Sequence, residues 1–177
     1  MKSIGSYAFY WCSSLTSLVI PNSVTNVGSY AFGNCSGLTS LTVNMPTIDE
    51  VIFLGCYNLT SLTIGTDVKS IIGGFSGCRS ITTIMSQSPT PPTCQWPFDY
   101  NVYSQATLKV PEGSRTSYQM ADYWKNFMNI EEFEQSGVQK VILDKMHNAP
   151  IYDLNGRKLK VPRKGINIIG GRKVIVK

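Results

Sequence analysis

Apolar positions recur along the first half of the chain with a period much longer than that of a helix or a single strand. Ile4-Gly5-x-x-Ala8-Phe9-x-x-Cys12-x-x-Leu15-x-x-Leu18-x-Ile20-Pro21 is followed by Val27-Gly28-x-x-Ala31-Phe32-x-x-Cys35-x-x-Leu38-x-x-Leu41-x-Val43, each matched position displaced by 23 residues. Phe53, Cys56, Leu59, Leu62 and Ile64 repeat the pattern 21 residues on, and Phe75, Cys78, Ile81 and Ile84 repeat it after 22 more. A repeat of this length, with Leu-x-x-Leu-x-Leu spacing, predicts a leucine-rich solenoid. In Leu15-Thr16-Ser17-Leu18-Val19-Ile20, Leu18 and Ile20 alternate inward as a strand requires, and Thr and Ser point outward.

The expected fold is mainly β: a right-handed leucine-rich-repeat solenoid of about four coils of 21–23 residues over residues 1–86. One coil cannot bury its apolar face alone, so stacking must close the core. Phe9, Phe32, Phe53 and Phe75 should form one internal column, and Cys12, Cys35, Cys56 and Cys78 a second. Gly5 and Gly28 are expected where the backbone changes direction.

The Ala-Phe-x-x-Cys-x-x-Leu-x-x-Leu-x-Ile-Pro repeat resembles the BspA-like leucine-rich repeats of bacterial surface proteins. The resemblance covers residues 1–86. It is fullest in the first two copies, and Ile52 and Gly74 stand where Ala8 and Ala31 stand earlier. The chain begins inside a coil, so the expectation is that Met1 begins a fragment or that upstream coils are missing. The resemblance implies a secreted or surface-anchored adhesion protein.

Ser86-Gln87-Ser88-Pro89-Thr90-Pro91-Pro92-Thr93 breaks the pattern. Residues 87–131 read as a mixed α/β cap. Its strand is 106–111, Ser114 is placed to cap a short helix through Ala121, and a second short turn follows from Asp122. Tyr118, Trp124, Phe127 and Ile130 give it an apolar face, and the same order of residues resembles the segment that closes many BspA-like solenoids. Residues 132–177 read as a small all-β hairpin module. Ile151-Tyr152-Asp153-Leu154 and Arg157-Lys158-Leu159 flank an Asn155-Gly156 type I′ turn, and a second hairpin turns at Gly170-Gly171. This tail is similar to the C-terminal segments of secreted Bacteroidetes proteins, some of which direct export and surface attachment. Two readings of it stand open, an active sorting signal and a plain β module.

Composition narrows the chemistry. Of 177 residues, 42% are hydrophobic and 15% charged, which suits a folded core. No apolar run approaches the roughly 18 residues of a membrane span, so no integral membrane segment is expected. No basic-then-apolar signal opens the chain; if the protein is secreted, its signal was removed before Met1. The net charge of +5 is local: residues 1–86 are neutral, 87–131 carry −1 and 132–177 carry +6. A nucleic-acid groove needs clustered cations and stacking aromatics together, and the tail offers only Phe133 and Tyr152, so no nucleic-acid partner is expected.

The five cysteines contain no close Cys-x-x-Cys pair, and the single histidine, His147, excludes a multi-histidine site. No metal or cofactor is expected. The cysteine spacing equals the repeat, and stacked Cβ bonds run parallel, which is poor disulfide geometry. The ladder cysteines read as buried free thiols, and Cys94 falls outside the ladder. His147 reads as a surface residue in a polar loop, with Asp144 and Asp153 nearby. Asp49-Glu50 would point to opposite faces of a strand. No phosphate loop and no nucleophile elbow occurs. Asn34-Cys35-Ser36 and Asn58-Leu59-Thr60 fit a glycosylation sequon, but read as turns. No catalytic residue is expected, and the chain reads as a non-enzyme.

The remaining feature is a row of hydroxyls. Thr16, Ser17, Thr39, Ser40, Thr42, Thr60, Ser61, Thr63, Thr82 and Thr83 are the outward positions of the strands. They make an uncharged hydrogen-bonding face suited to a host or neighbouring-cell surface protein or glycan, although Thr and Ser are also ordinary solvent-facing strand residues. Two readings of function follow: an extracellular or cell-surface adhesion module, and a structural spacer or fragment of a larger surface protein with no ligand of its own.

Overall fold

In the computed structural model, residues 2–134, 151–153, 156–159, 165–169 and 172–176 are described, the last two stretches and Ile151 by backbone alone. The chain divides into two compact units, residues 1–134 and 135–177.

The first unit carries eleven strands among its described residues. They are β1 (Ser3–Ile4), β2 (Ser17–Ile20), β3 (Asn26–Val27), β4 (Ser40–Val43), β5 (Thr47–Ile48), β6 (Ser61–Ile64), β7 (Ser70–Ile72), β8 (Thr83–Ser86), β9 (Thr93–Gln95), β10 (Thr107–Pro111) and β11 (Asn129–Phe133). They sort into parallel sheets. One has six strands in the order β11-β10-β8-β6-β4-β2; the others are β5-β7-β9 and the pair β1-β3. The register follows the repeat, so Leu18, Leu41, Leu62 and Ile84 pair across coils and continue into Leu108 and Ile130. Side chains alternate along each strand; hence Ile20, Val43 and Ile64 also face the core, and Ser17 and Val19 face out.

The phenylalanines stack as one column. Ring centroids lie 5.1 Å apart for Phe9–Phe32, 5.6 Å for Phe32–Phe53 and 5.5 Å for Phe53–Phe75. Phe32, Phe53 and Phe75 are buried, whereas Phe9 is 41% exposed. Among the described residues its outer face meets no further ring. Ile4, Leu15 and Leu18 are half-buried there for the same reason.

The stack runs beyond residue 86, where the repeat pattern placed its end. Phe98 lies 5.5 Å from Phe75 and nearly parallel to it, β9 pairs with β7, and β10 pairs with β8. Four coils is therefore one coil short. In this fifth coil the cysteine turn is replaced by a short helix, α1 (Tyr100–Gln105). Its side chains take the open carbonyls of the coil before: Gln105 Nε2 donates to Arg79 O (2.6 Å) and Ile81 O (3.0 Å), and Asn101 Nδ2 donates to Arg79 O (2.9 Å).

A second helix, α2 (Arg115–Met120), and a 3-10 turn (Trp124–Asn126) precede β11. Ser114 sits at the N-cap of α2 but makes no side-chain cap bond; the Arg115 N–H is held instead by Glu132 Oε1 at 2.9 Å. The second turn expected from Asp122 thus ends in an added strand. Tyr118, Trp124, Phe127 and Ile130 are buried. Phe98, Trp124 and Phe127 meet edge-to-face and stacked at 5.9–6.2 Å, and the Trp124 indole N–H donates to Pro92 O at 2.7 Å. An aromatic pair of this kind adds about 0.5–1.5 kcal/mol beyond its buried area. One buried polar pair replaces an apolar one. Ser86 stands where Ile20, Val43 and Ile64 stand earlier, and its hydroxyl meets Tyr118 Oη at 2.6 Å. Tyr118 in turn donates to Ser88 O at 2.8 Å.

In the second unit, β12 (Ile151–Tyr152), β13 (Lys158–Leu159), β14 (Gly165–Ile169) and β15 (Arg172–Val176) form an antiparallel sheet in the order β13-β12-β14-β15. Gly156 has φ +75°, and Asp153 Oδ1 accepts the Arg157 N–H at 2.9 Å. Asn155, Gly170, Gly171, Asp144 and His147 lie outside the described residues.

Candidate binding surface

The six-stranded sheet presents three outward rows. The first, just before the strands, is Thr16, Thr39, Thr60 and Thr82. The second is Ser17, Ser40, Ser61 and Thr83, continued by Thr107 and Asn129. The third is Val19, Thr42, Thr63 and Met85, continued by Lys109 and Glu131. Neighbouring members of a row lie one strand spacing apart, about 4.8 Å. Thr16, Ser17, Thr39, Ser40, Thr60 and Thr82 are exposed, and Thr42, Ser61, Thr63 and Thr83 half-buried.

The rows are not equivalent as hydrogen-bonding groups. In the first, Thr39 Oγ1 donates to Thr16 O (3.1 Å), Thr60 Oγ1 to Thr39 O (3.1 Å) and Thr82 Oγ1 to Thr60 O (3.4 Å). These hydroxyl protons are committed to the ladder between coils, each bond contributing about 0.5–1.5 kcal/mol at most. Among the described residues, the hydroxyls without a hydrogen-bond partner are Thr16 at the start of the first row and Ser17, Ser40, Ser61, Thr83, Thr42 and Thr63 in the second and third. Val19 (69% exposed) and Met85 interrupt the third row with apolar groups. At the far edge the face becomes charged: Asn129 Nδ2 bridges Thr107 Oγ1 (2.8 Å) and Glu131 Oε1 (3.4 Å).

Behind the face, the cysteine column is also tied between coils. Cys35 Sγ lies 3.1 Å from Phe9 O, Cys56 Sγ 3.2 Å from Phe32 O, and Cys78 Sγ 3.2 Å from Phe53 O. All five cysteines are free; Cys35, Cys56 and Cys78 are buried, Cys12 and Cys94 half-buried. Burial pushes the Cys35 thiol up to about 11 and the Cys94 thiol to about 12, so neither is a nucleophile near neutral pH. Cys94 occupies the column of Ile48 and Ile71 in the second sheet, as a small apolar residue. Asp49 and Glu50 follow β5 rather than lying on a strand, and both are exposed. Among the described residues no group of three His, Cys, Asp or Glu could hold a metal ion. Among the described residues no helix is long and apolar enough to cross a membrane.

The turns linking the second sheet to the first carry a feature that the repeat pattern did not flag. The first four hold two left-handed positions each, and the fifth holds one. The first is Tyr7, Tyr30, Val51, Gly73 and Trp96 (φ +50° to +59°), and the second Trp11, Asn34, Gly55 and Gly77 (φ +55° to +79°). Gly5 and Gly28, expected at these bends, are not among them. Gly28 is required for another reason, since a Cβ there would run into the Ser6 backbone. A non-glycine residue in this region costs roughly 1–2 kcal/mol. The first two coils nevertheless place Tyr, Trp, Tyr and Asn there, and Tyr7 and Trp11 stand out from the core, 56% and 67% exposed. Asn34 and Asn58 are turn residues, as expected: Asn34 Nδ2 donates to Tyr10 Oη (2.9 Å) and Asn58 Nδ2 to Ser36 O (2.7 Å).

Coils of 21–23 residues, a continuous parallel sheet and an internal phenylalanine column define a leucine-rich-repeat solenoid. A family model described as the BspA type leucine rich repeat region (6 copies) matches residues 2–112, and the chain belongs to that family. The match extends past residue 86 through β10, in keeping with the fifth phenylalanine. No curated protein matches the chain. Among solved structures it is similar to a leucine rich cell surface protein from Faecalibacterium prausnitzii A2-165, with 25% identity and a TM-score of 0.45. That likeness covers 79% of this chain and 31% of the other, so the chain spans about a third of its length.

Proposed function

We propose that the chain is a non-catalytic adhesion module of an extracellular or cell-surface protein, binding a host or neighbouring-cell protein or glycan through the outward face of the six-stranded sheet. The observation that carries this reading is the register of that face. Ser17, Ser40 and Ser61 align in one row and Thr42 and Thr63 in the next, uncharged and with donors not committed to the ladder. A flat array of this kind suits recognition over an extended area, the usual mode of solenoids, and offers no cleft in which water could be excluded from a reaction. Residues 107–131 close the solenoid and the C-terminal β module is a separate unit, either a sorting signal or a plain module.

The first-row threonines support a second reading, a structural spacer without a ligand, because their hydroxyls already serve the stack. A screen of the full chain against immobilised matrix proteins at physiological salt separates the two. Saturable binding that survives a modest rise in salt supports the adhesion module; binding that vanishes with salt belongs to the basic tail. A folded chain that binds nothing leaves the spacer.

A further inference from the structure

We propose that the Tyr103 hydroxyl, Tyr123 and Trp96, on the segments that close the solenoid, form a binding site for a neutral, flat ligand carrying one hydrogen-bond acceptor, a carbonyl above all. The site uses no residue of the sheet face and does not depend on that reading.

The starting point is a polar atom where the core does not need one. Only 7% of Tyr103 is exposed, and among the described residues its hydroxyl is the buried side-chain group without a hydrogen-bond partner. A phenylalanine would pack against Phe98 and Phe127 as the Tyr103 ring does, at 6.2 and 5.0 Å, without burying an orphan. Leaving a buried donor unmade is costly, so its presence asks for a partner. The polar groups around it are already committed. Trp124 Nε1 donates to Pro92 O at 2.7 Å, and the Cys94 thiol turns to the same oxygen at 3.6 Å. Tyr118 Oη is held by Ser86 and by Ser88 O. Of these four, Tyr103 alone keeps a proton to give.

A graded path joins this hydroxyl to solvent. Burial raises its pKa to about 12, and Cys94 and Tyr123 lie close enough to push it the same way. Tyr123 is half-buried. The Trp96 ring stands edge-on to it, with centroids 5.7 Å apart and planes inclined at 67°. Trp96 itself is 71% exposed. Exposure thus falls stepwise from Trp96 through Tyr123 to Tyr103, and a ring as exposed as Trp96 loses little packing when it swings aside.

The chemistry selects the ligand class. Burial pushes Cys94 up to about 12 as well, so the thiol and the phenol are both neutral at physiological pH. Asp122 and Lys125, the charged groups next along the chain, pair with each other at 2.7 Å. An ion entering here would lose its water and find no counter-charge. One free donor calls for one acceptor. The rings of Trp96 and Tyr123 suit a flat apolar body. A neutral aromatic ketone or amide meets all three conditions, whereas a sugar, with hydroxyls on every edge, would leave most of them unpaired.

The test titrates the full chain with acetophenone, with ethylbenzene (the same shape without the acceptor) and with benzoate, followed by the shifts of protein amide resonances. Acetophenone should bind saturably, ethylbenzene roughly tenfold or more weakly, the worth of one hydrogen bond, and benzoate more weakly than either. Tyr103→Phe should abolish the preference for acetophenone over ethylbenzene while melting no lower than the parent. Trp96→Asn removes the outer ring at an exposed position with φ +50°, a backbone that asparagine tolerates. It should weaken acetophenone several-fold with unchanged circular dichroism. The proposal is overturned if acetophenone does not bind the folded chain saturably, if ethylbenzene or benzoate binds as well as acetophenone, or if Tyr103→Phe keeps the preference. It is overturned equally by a crystal structure in which an ordered water holds the Tyr103 hydroxyl at saturating acetophenone.

Discussion

The thiol of Cys56 donates to the carbonyl oxygen of Phe32 in the preceding coil, across 3.2 Å. The same bond recurs from Cys78 to Phe53 and from Cys35 to Phe9. Each cysteine therefore joins the two internal columns, filling space as a small apolar group while satisfying a main-chain acceptor. An unpaired buried acceptor costs about 1–3 kcal/mol. Cys56→Ala should lose stability in that range, whereas Cys56→Ser, which keeps a donor, should lose less. Urea midpoints of the two variants decide it; a serine loss as large as the alanine loss would mean that the sulfur acts only as filler.

The phenylalanine column is unequal along its length. Phe53 lies between two rings and is fully buried, and Phe9 has a ring on one side only. Phe53→Ala should cost about 3–5 kcal/mol through the cavity it leaves, and Phe9→Ala less than about half of that. Equal losses from equilibrium unfolding would show that the first coil is as enclosed as the third.

Tyr103 carries the buried side-chain oxygen that has no hydrogen-bond partner among the described residues. Its ring packs against Phe98 and Phe127 at 6.2 and 5.0 Å. Tyr103→Phe keeps that packing and removes the orphan, so the variant should be at least as stable as the parent, by up to about 1 kcal/mol. A clear loss in thermal unfolding would reveal a partner for the hydroxyl.

Burial pushes Tyr118 and Tyr103 up to about 12, and Cys35 up to about 11. A group whose folded pKa is raised binds its proton more tightly in the native state. Stability is then fully present below about pH 9 and falls as pH rises towards about 12. The urea midpoint should drop between pH 8 and pH 10.5. Tyr118→Phe should be less stable at pH 8, because Ser86 loses its partner, but should show a shallower alkaline decline. A flat profile in the parent would mean that these groups titrate in the folded chain without cost.

Much of the fold was legible because the Phe and Cys positions recur at the coil period, and only a stacked coil makes residues 21–23 apart into neighbours. The fifth coil was hidden because its cysteine turn gives way to α1, although Phe98 keeps the 23-residue step from Phe75. The strand β11 was hidden by its composition: Asn129-Ile130-Glu131-Glu132-Phe133 lies at a sheet edge, and Ile130 is its one buried residue. The hydroxyl rows were visible as residues. What was not visible was that Thr39, Thr60 and Thr82 bond to the preceding coil, since a side-chain-to-carbonyl bond depends on register, not on spacing alone. The aromatic turns were hidden by their backbone. Tyr, Trp and Asn there adopt a conformation usually marked by glycine, so the customary signal was missing.

The direct measurement of the sheet face as a binding surface is surface plasmon resonance of the full chain against the matrix protein or glycan it binds best. The parent is compared with Ser40→Lys and Thr63→Lys, which place charge among the free hydroxyls, and with Thr60→Val, which removes a ladder donor. The expected result is a loss of roughly tenfold or more for the lysine variants, with Thr60→Val near the parent in affinity and slightly less stable. Lysine variants that bind as the parent does, while remaining folded, would contradict a ligand site on this face.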